Sequence, residues 1–301
     1  MPELPEVETI RGQLAPIVER RTLKRVEIVD PRWSRPLAPD ELAAALQGWP
    51  VESLGRRGKY LVWNLSGDVH LVQHLRMTGA VLLEPRPEPP HVSARLDLGR
   101  GRRLVVVDPR RFGTGELLLG DEALAEFFVT RLGVEPFGGE FTAEYLRARA
   151  RGRIGPIKSF LLDQRHVAGV GNIYADEALF RAYVHPLRPA GRLTREQYAL
   201  LRDGVVDALQ AGIDAKGASI DDFRHVDGVR GAFQNEFLVH TRAGEPCVRC
   251  GTTITKLVVG GRATYVCEHC QPPPRRRRAS RAQAASRSSS SPLSSARRTS
   301  A

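Results

Sequence analysis

The first residues of the chain combine an amine nucleophile with nearby carboxyl groups. Once Met1 is removed, Pro2 is a free secondary amine, and an α-amino group with a pKa of about 8 is partly unprotonated at neutral pH. Attack of such an amine on a sugar C1′ gives an iminium ion, which acts as an electron sink because the nitrogen has no proton to lose. Glu3 is placed to protonate the ring oxygen as the sugar opens. Glu6 follows closely, although Glu6 and Glu8 are alternatively read as carboxylates that complement a helix dipole.

The cysteines predict a metal site. They form two C-x2-C pairs with sixteen residues between the pairs: Cys247, Cys250, Cys267 and Cys270. Two such pairs hold Zn²⁺ tetrahedrally with four thiolates and leave no open position for a substrate, so the zinc is predicted to be structural. Two disulfides or free thiols are the alternative. Gly260 and Gly261 predict a hairpin tip between the pairs, where Arg262 suits a phosphate contact or is simply solvated.

The elements that hold these groups follow from hydrophobic spacing. Apolar residues recur at helical intervals after Pro5, which predicts an amphipathic helix at the start of the chain. Short β-rich runs between Leu23 and Leu119 predict a β-sandwich or barrel. These runs are LKRVEIV, KYLVWNL, VHLVQHL, AVLL, VSARLDL, RRLVVVD and GELLL. A helix over about 121–132 and a Gly/Pro-rich connector, residues 133–140, predict the end of this domain.

The remainder of the chain is predicted to be helical and then rich in cysteine. Residues 142–215 contain four helical segments, and residues 216–235 look like a long loop rich in Gly and Asp. A small β-rich module follows, and a tail of Ser, Arg, Ala and Pro is expected to be disordered. The sequence thus predicts an α+β multidomain protein with four parts: residues 1–132, 133–235, 236–271 and 272–301.

Charge and hydropathy limit the classes of partner. The net charge of +11 over 301 residues is carried mainly by the tail, which has eight Arg and no acid and leaves +3 for residues 1–271. Binding to a polyanion must therefore depend on clustered basic residues. No run of eighteen apolar residues occurs, and the N-terminus has acids where a signal peptide has bases. We expect a cytoplasmic protein without membrane contact.

Six sequence blocks, in order, resemble those of bacterial formamidopyrimidine-DNA glycosylases. They are PELPEVET at the start, GRRGKY at 55–60, HLRMTG at 74–79, DPRRFG at 108–113, LLDQRHVAGVGNIYADEALFRA at 161–182, and the cysteine module ending in CEHCQ. PELPE favours this family over the related endonuclease VIII branch. The resemblance covers Pro2 to Gln271 and implies an N-terminal β-sandwich, a helix-two-turn-helix domain and a zinc finger.

The resemblance implies a monomeric, nucleoid-associated bacterial enzyme of base-excision repair. Such an enzyme removes oxidised purines, chiefly 8-oxoguanine and formamidopyrimidines, from double-stranded DNA and cleaves the abasic site by β,δ-elimination. Pro2 is then the Schiff-base nucleophile and Glu3 the proton donor, with Glu6 in support. Lys59 is a base or proton donor for β-elimination, and Arg262 serves δ-elimination and phosphate binding. One structural zinc is implied.

The resemblance also predicts the side chains that contact DNA. Met77 and Phe112 are apolar wedges that fill the gap left by a flipped nucleotide, whose unstacking costs about a few kcal/mol. Core packing is the alternative for both. Arg110 contacts the orphaned cytosine. Further contacts are predicted for His74, His91, Arg153, Lys158 and Asn172.

Three local features bear on DNA recognition. Gly169 and Gly171 allow a tight turn, and Asn172 is predicted to cap the next helix, whose free amides suit a phosphate. Arg76 stands where the family more often has Gly. The 216–235 segment corresponds to the lesion-recognition loop, in which Ser219 is a candidate contact to the flipped base.

Two other functions are compatible with these motifs. The first is a catalytically silent zinc protein that binds damaged or bent DNA. The second keeps the mechanism but acts on oxidised pyrimidines. Borohydride trapping of the iminium ion distinguishes an enzyme from a silent binder, and competing lesion duplexes distinguish the substrates.

Overall fold

A computed structural model describes residues 2–219, 226–229 and 231–274. Its N-terminal part joins one leading helix to two antiparallel sheets and ends with a short helix. The elements are α1 (Leu4–Val18), β1 (Arg25–Ile28), α2 (Pro39–Leu46), β2 (Val51–Arg57), β3 (Tyr60–Leu65), β4 (Val69–His74), β5 (Ala80–Leu83), β6 (Val92–Gly99), β7 (Arg102–Val107), β8 (Thr114–Leu119) and α3 (Asp121–Val129).

The two sheets form the predicted β-sandwich. Each has four strands, in the orders β1-β6-β7-β5 and β2-β3-β4-β8, and all neighbours are antiparallel. Both sheets contribute to one hydrophobic core, which includes Val26, Leu54, Trp63, Leu71, Leu96 and Val106. The alternation of buried and exposed positions is clearest in the edge strand β1.

Helix α1 connects the sandwich to the helical part of the chain. Val7, Ile10 and Leu14 recur at helical spacing and are fully buried in the sandwich core. Leu4, at the start of the same helix, packs instead in the core of the helical part. The N-terminus, with the predicted nucleophile Pro2, therefore lies where the two cores meet.

The second part of the chain is helical, as the spacing predicts, and the third is a β-hairpin. The elements are α4 (Ala143–Ala150), α5 (Ile157–Leu162), α6 (Asn172–Arg181), α7 (Arg195–Asp214), β9 (Thr255–Val259) and β10 (Arg262–Val266), with short 3₁₀ turns at Ala190–Arg192 and Phe233–Glu236. Thr194 starts the longest helix, α7, with a capping box in which its hydroxyl accepts the N–H of Gln197. Strands β9 and β10 pair antiparallel.

Two elements were not predicted from the sequence. Helix α2 is short, and strand β2, VESLGRR, has little of the β-branched composition that marks the other strands.

None of the helices in the described part of the chain has the length and apolarity needed to cross a bilayer. The predicted disordered tail falls almost entirely on residues 275–301, outside the described residues. The predicted domain limits remain predictions.

Candidate active site and nucleic-acid interface

The carboxylate of Glu3 occupies the N-terminus of α6. Glu3 is 2% exposed, and its two oxygens accept the backbone N–H groups of Ile173 at 3.0 Å and Tyr174 at 3.4 Å. These amides have no partner within the helix, so the Glu3 side chain satisfies donors that would otherwise be unpaired. A Cβ at Gly171 would lie 2.2 Å from Cδ of Glu3, so the close approach requires glycine. Pro2 is buried next to this carboxylate.

Glu6 is a second buried carboxyl group beside the N-terminus. It accepts hydrogen bonds from the N–H of Glu3 at 2.8 Å, the hydroxyl of Tyr174 at 2.7 Å and the N–H of Ala218 at 2.8 Å. Burial raises the pKa of Glu6 from its usual value, and the charge of Glu3 raises it further. Glu6 therefore joins the N-terminal end of the chain to two other segments, at Tyr174 and Ala218.

Lys59 lies in the turn between β2 and β3. Gly58 takes a φ of +57°, in the left-handed region that favours glycine, and its N–H donates to Glu135 in the connector. Arg56 and Arg57 pair with the same carboxylate, each at 3.0 Å. The connector thus fixes the turn that presents Lys59, which is itself 5% exposed.

The electrostatics of Lys59 show which groups surround it. Burial lowers the pKa of Lys59, the charges of Glu3 and Glu6 oppose that change, and the charge of Arg262 adds to it. Four of the predicted catalytic and supporting residues thus act on one another through space. An amine with a lowered pKa gives up its proton more readily, which suits a group that exchanges protons.

Arg262 lies at the exposed tip of the zinc-finger hairpin, and the backbone next to it is hydrogen-bonded to two helices. The carbonyl of the next residue, Ala263, accepts hydrogen bonds from Nζ of Lys158 at 3.1 Å and from Nδ2 of Asn172 at 3.0 Å. Helices α5 and α6 therefore determine where the finger presents Arg262.

The burial of Lys158 contradicts its predicted phosphate contact. The side chain is 0% exposed, and Nζ lies 2.7 Å from Oδ1 of Asp176 and 2.8 Å from the hydroxyl of Thr264. Burial lowers the pKa of Lys158, and the adjacent Asp176 opposes this. Its ammonium group positions the finger and has no surface left for DNA.

The predicted cap at Asn172 is also corrected. Gly171 is the N-cap residue of α6, and Asn172 is the first residue within the helix. The anion at this helix start is the Glu3 carboxylate, not a phosphate. Among the described residues no group donates to the buried Oδ1 of Asn172. A DNA contact by Asn172 remains a prediction.

His74 is buried at the end of β4, close to Lys59. Its ring packs edge-on against Tyr60, with 4.5 Å between centroids, and Nδ1 accepts the N–H of Arg76 at 2.8 Å. Burial, with the charges of Arg76 and Lys59, lowers the pKa of His74 to about 3. The neutral ring therefore carries its hydrogen on Nε2. A DNA contact by His74 remains a prediction.

The predicted wedge residues are exposed on two neighbouring loops. Met77 is 42% and Phe112 is 52% exposed, which rules out core packing for either side chain. The guanidinium of Arg110 lies 4.9 Å from the centroid of the Phe112 ring, so the two point the same way. Arg76 has a φ of +56°, a left-handed backbone conformation that favours glycine.

Asp108 organises both wedge loops. It is 1% exposed and accepts the hydroxyl of Thr78 and the N–H groups of Arg110 at 3.2 Å, Phe112 at 2.7 Å and Gly113 at 2.6 Å. Sequence reasoning missed this role, although an Asp before a Pro is a known turn signal. It also missed Tyr174 and Asp176, for which the sequence contains no such signal.

Other predicted contacts lie at the surface or in the loop. His91 and Arg153 are exposed, and Nε of Arg153 donates to the carbonyl of Arg149 at 2.9 Å. Ser219 is buried, and its hydroxyl accepts the N–H of Gly231 at 2.9 Å. Their contacts to DNA remain predictions. Residues 220–225 and 230 of the predicted lesion-recognition loop lie outside the described residues.

The four cysteine sulfurs form a cluster that fits zinc. All lie within 4.8 Å of one another, with 3.9 Å between Cys247 and Cys270 and 3.5 Å between Cys250 and Cys267. Four thiolates around Zn²⁺ at about 2.3 Å are separated by about 3.8 Å, whereas disulfide sulfurs lie about 2.05 Å apart. The predicted disulfide alternative is therefore wrong, and the zinc is structural.

Comparison with known families matches all three parts. The formamidopyrimidine-DNA glycosylase N-terminal domain matches residues 1–115, and the helix-two-turn-helix domain of the same enzymes matches residues 132–224. A zinc finger found in formamidopyrimidine-DNA glycosylases and isoleucyl-tRNA synthetases matches residues 244–273. These domains, with the site described above, define a zinc-finger DNA glycosylase of the helix-two-turn-helix class.

Individual relatives give the same result. The formamidopyrimidine-DNA glycosylase of Bacillus licheniformis is 44% identical over 277 residues, which cover 90% of this chain and 99% of the relative. A Lactococcus lactis mutant enzyme with Fapy-dG-containing DNA has a TM-score of 0.85 at 35% identity, over 90% of this chain and 100% of that chain. The Thermus thermophilus enzyme has a TM-score of 0.82 at 40% identity, over 91% and 100%. The chain belongs to the formamidopyrimidine-DNA glycosylase family.

Proposed function

We propose that this protein removes oxidised purines from double-stranded DNA and then cleaves the strand at the abasic site. The observation that carries the proposal is the buried Pro2-Glu3 terminus, with Lys59 within electrostatic reach of Glu3. Relatives of the same fold have been solved with Fapy-dG-containing DNA and with abasic DNA. The site of action is bacterial DNA in the nucleoid, and the working unit is a monomer.

The first steps use the amine and the carboxyl group. The Pro2 nitrogen forms a bond to C1′ of the damaged nucleotide, and the bond from C1′ to the base breaks with its electron pair leaving on the base. The proton that the Pro2 nitrogen loses neutralises the departing base. Glu3 protonates the ring oxygen as the C1′–O4′ bond opens. The product is an iminium ion that joins Pro2 to the sugar.

Strand cleavage then follows from the iminium ion. Loss of a proton from C2′ sends its electron pair towards the iminium nitrogen and expels the 3′ phosphate, and Lys59 exchanges the protons. Loss of a proton from C4′ then drives a second elimination that expels the 5′ phosphate, with Arg262 on the phosphate. Water then hydrolyses the iminium bond and regenerates Pro2. The zinc supplies no chemistry and holds the finger closed.

Exposed wedge residues and several polar side chains around the site bind the DNA. Met77 and Phe112 fill the gap left by the extruded nucleotide, and Arg110 contacts the orphaned base. His74, His91 and Arg153 contact the phosphate backbone, as does Asn172 at the edge of the site. Residues 2–271 carry little net charge, so these localised contacts determine the salt dependence of binding.

Borohydride trapping tests the proposal. Protein lacking Met1 is mixed with a duplex that contains one 8-oxoguanine opposite cytosine, and borohydride reduces any iminium ion to a stable amine. A covalent adduct is expected, and none is expected from protein that retains Met1. Pro2→Gly leaves a primary amine and should retain residual cleavage. Full trapping with Met1 retained would rule out Pro2 as the nucleophile.

Oxidised pyrimidines are a second candidate substrate class. The motivating observation is a Lactococcus lactis relative, 35% identical to this chain, solved with DNA that contains an oxidised pyrimidine. Excision measured on duplexes with either lesion in competition decides between the classes. Preference for 8-oxoguanine is expected, and faster excision of the pyrimidine would reverse the assignment.

A further inference from the structure

A buried network of three side chains, Asp176, Lys158 and Thr264, connects α6 to the backbone of Arg262. Nζ of Lys158 lies 2.7 Å from Oδ1 of Asp176 and donates to the hydroxyl of Thr264 at 2.8 Å. That hydroxyl in turn donates to the carbonyl of Arg262 at 3.1 Å. Each of the three side chains is at most 1% exposed. The Asp176–Lys158–Thr264 network therefore reaches the finger tip through the interior of the protein.

The ammonium group of Lys158 fixes the direction of these hydrogen bonds. Three oxygens lie close to Nζ: Oδ1 of Asp176, the hydroxyl of Thr264 and, at 3.1 Å, the carbonyl of Ala263. An ammonium group has three donors and no acceptor, so the Thr264 hydroxyl must accept from Lys158. The hydrogen of that hydroxyl is then free to bind the carbonyl of Arg262.

The carboxylate of Asp176 is held on its other side by the zinc-finger module. Its Oδ2 accepts Nδ1 of His240 at 2.8 Å and the backbone N–H of Tyr265 at 3.4 Å. His240 is 5% exposed, and its ring packs edge-on against Tyr265, with 5.0 Å between centroids. One oxygen of Asp176 thus binds Lys158 and the other binds the finger module, so the carboxylate cannot rotate without losing contacts on both sides.

The backbone at Arg262 needs support from the interior because the hairpin tip consists of glycine. Gly260 and Gly261 have φ values of +56° and +73°, and residues without a Cβ restrict the backbone least. Arg262 is the first residue after this tip and pairs with Val259 across the hairpin. The hydrogen bond from Thr264 therefore fixes the backbone at the point from which the Arg262 side chain extends.

We propose that the Asp176–Lys158–Thr264 network positions Arg262 for the second elimination. This inference rests on the proposed function, in which Arg262 acts on the phosphate that leaves second. Base excision and the first elimination use the N-terminal groups and Lys59, so they should proceed when the network is broken. The second elimination should then slow, and the product of the first elimination should accumulate.

The test measures both elimination products from an abasic duplex under single-turnover conditions. The first elimination leaves a sugar fragment on the 3′ end of the cut strand, and the second leaves a 3′ phosphate, so a denaturing gel separates the two products. Thr264→Val keeps the size of the side chain but removes the hydroxyl. It should lower the ratio of the second product to the first about three- to tenfold, the range expected for one hydrogen bond. The rate of the first elimination should change less than about twofold.

Two variants control for the loss of a hydroxyl in the hairpin. Thr264→Ser keeps the hydroxyl and should restore the product ratio. Thr255→Val makes the same change in β9, at an exposed residue whose hydroxyl donates to the carbonyl of Val266 at 3.3 Å. This substitution should leave the ratio as in the wild type.

Two further variants separate positioning of Arg262 from a general loss of structure. Asp176→Asn removes the charge at the other end of the network and should lower the product ratio in the same direction. Thr264→Val combined with Arg262→Gln should give the ratio of Arg262→Gln alone, because both changes act through one guanidinium group. The zinc content of each variant should equal that of the wild type.

Four results would overturn the proposal. They are an unchanged product ratio in Thr264→Val, equal slowing of both eliminations, a further fall of the ratio in the double variant, and loss of zinc from Thr264→Val, which would show that the hydroxyl supports the finger as a whole. Failure of the wild type to form a borohydride adduct would instead refute the proposed function.

Discussion

Oε1 of Glu3 accepts the backbone N–H of Ile173 at 3.0 Å, across 170 residues of sequence. The contact joins the proposed proton donor to the first turn of α6, the helix whose first residue also supports the zinc-finger tip through Ala263. The position of the Glu3 carboxylate thus depends on the helical part of the chain. A change at the start of α6 should therefore lower the rate of base excision even where the protein still folds.

Gly171→Ala tests this dependence. The new Cβ would lie 2.2 Å from Cδ of Glu3, and the carboxyl end of that side chain is the atom group that can move away. Base excision should fall by about 100-fold, the lower range for a general acid, with a smaller loss of abasic-site cleavage. Single-turnover kinetics on an 8-oxoguanine duplex and on an abasic duplex measure the two losses.

Gly12→Ala is the matched control for that substitution. Gly12 lies inside α1, and a Cβ there meets nothing within 4 Å. Activity should be unchanged, and stability should rise by about 0.5–1 kcal/mol through helix propensity. Full excision by Gly171→Ala would show that the Glu3 position is not critical.

His74 should make the protein less stable in mild acid. The pKa of His74 is lowered from 6.5 to about 3 by burial, so the unfolded chain binds more protons than the folded chain between these values. The free energy of unfolding should therefore decrease as the pH falls below about 6.5, and the loss at pH 5 is about 2 kcal/mol. Urea unfolding at pH 7, 6 and 5 measures this decrease in the free energy of unfolding.

His74→Asn should remove that part of the pH dependence. Asparagine keeps an acceptor for the N–H of Arg76 but does not titrate. His91→Asn, at an exposed position with a φ of +63° that asparagine tolerates, controls for the same change of side chain and should leave stability at pH 7 close to that of the wild type. Identical acid dependence in His74→Asn and the wild type would contradict the lowered pKa.

Asp108→Asn should disorder both wedge loops. An amide nitrogen in place of Oδ2 leaves the N–H groups of both Phe112 and Gly113 without this acceptor, and one in place of Oδ1 removes an acceptor from the N–H of Arg110. We expect a loss of about 2–4 kcal/mol in the free energy of unfolding and weaker binding of lesion duplexes. Thermal unfolding and gel-shift titration provide the measurements.

Asp203→Asn is the control for the change of carboxylate to amide. Its side chain is 56% exposed and pairs only with the neighbouring Arg202 among the described residues. An exposed pair contributes about 0–1 kcal/mol, so stability and DNA binding should remain close to wild type. Equal effects of the two substitutions would show that Asp108 has no special role.

Lys158 and Arg153 should differ in the salt dependence of DNA binding. Lys158→Met leaves Asp176 buried without its cation and should cost about 3–5 kcal/mol of stability, with no change in the slope of log affinity against log salt. Arg153→Ala should lower that slope by about 1 and leave stability unchanged. A lower slope for Lys158→Met would restore the phosphate contact that its burial contradicts.

The sequence by itself determined the parts of the protein whose signals are local. Helical spacing from Val7 to Leu14 predicted α1, and short β-rich runs predicted seven of the eight sandwich strands. The spacing of the cysteines predicted the zinc site. Each of these signals is contained in a few neighbouring residues, because secondary structure and paired metal ligands depend on nearby geometry.

Only the tertiary structure decided what the long-range partners are. Lys158 looks like a surface base in the sequence, yet its partners Asp176 and Thr264 bury it. The start of α6 looks like a phosphate site in the sequence, yet in the structure the Glu3 carboxylate accepts the N–H of Ile173 there. Val226 belongs to the sandwich core although it follows the last long helix. Which polar groups meet in the interior depends on how separately formed elements pack, and local spacing carries no information about that packing.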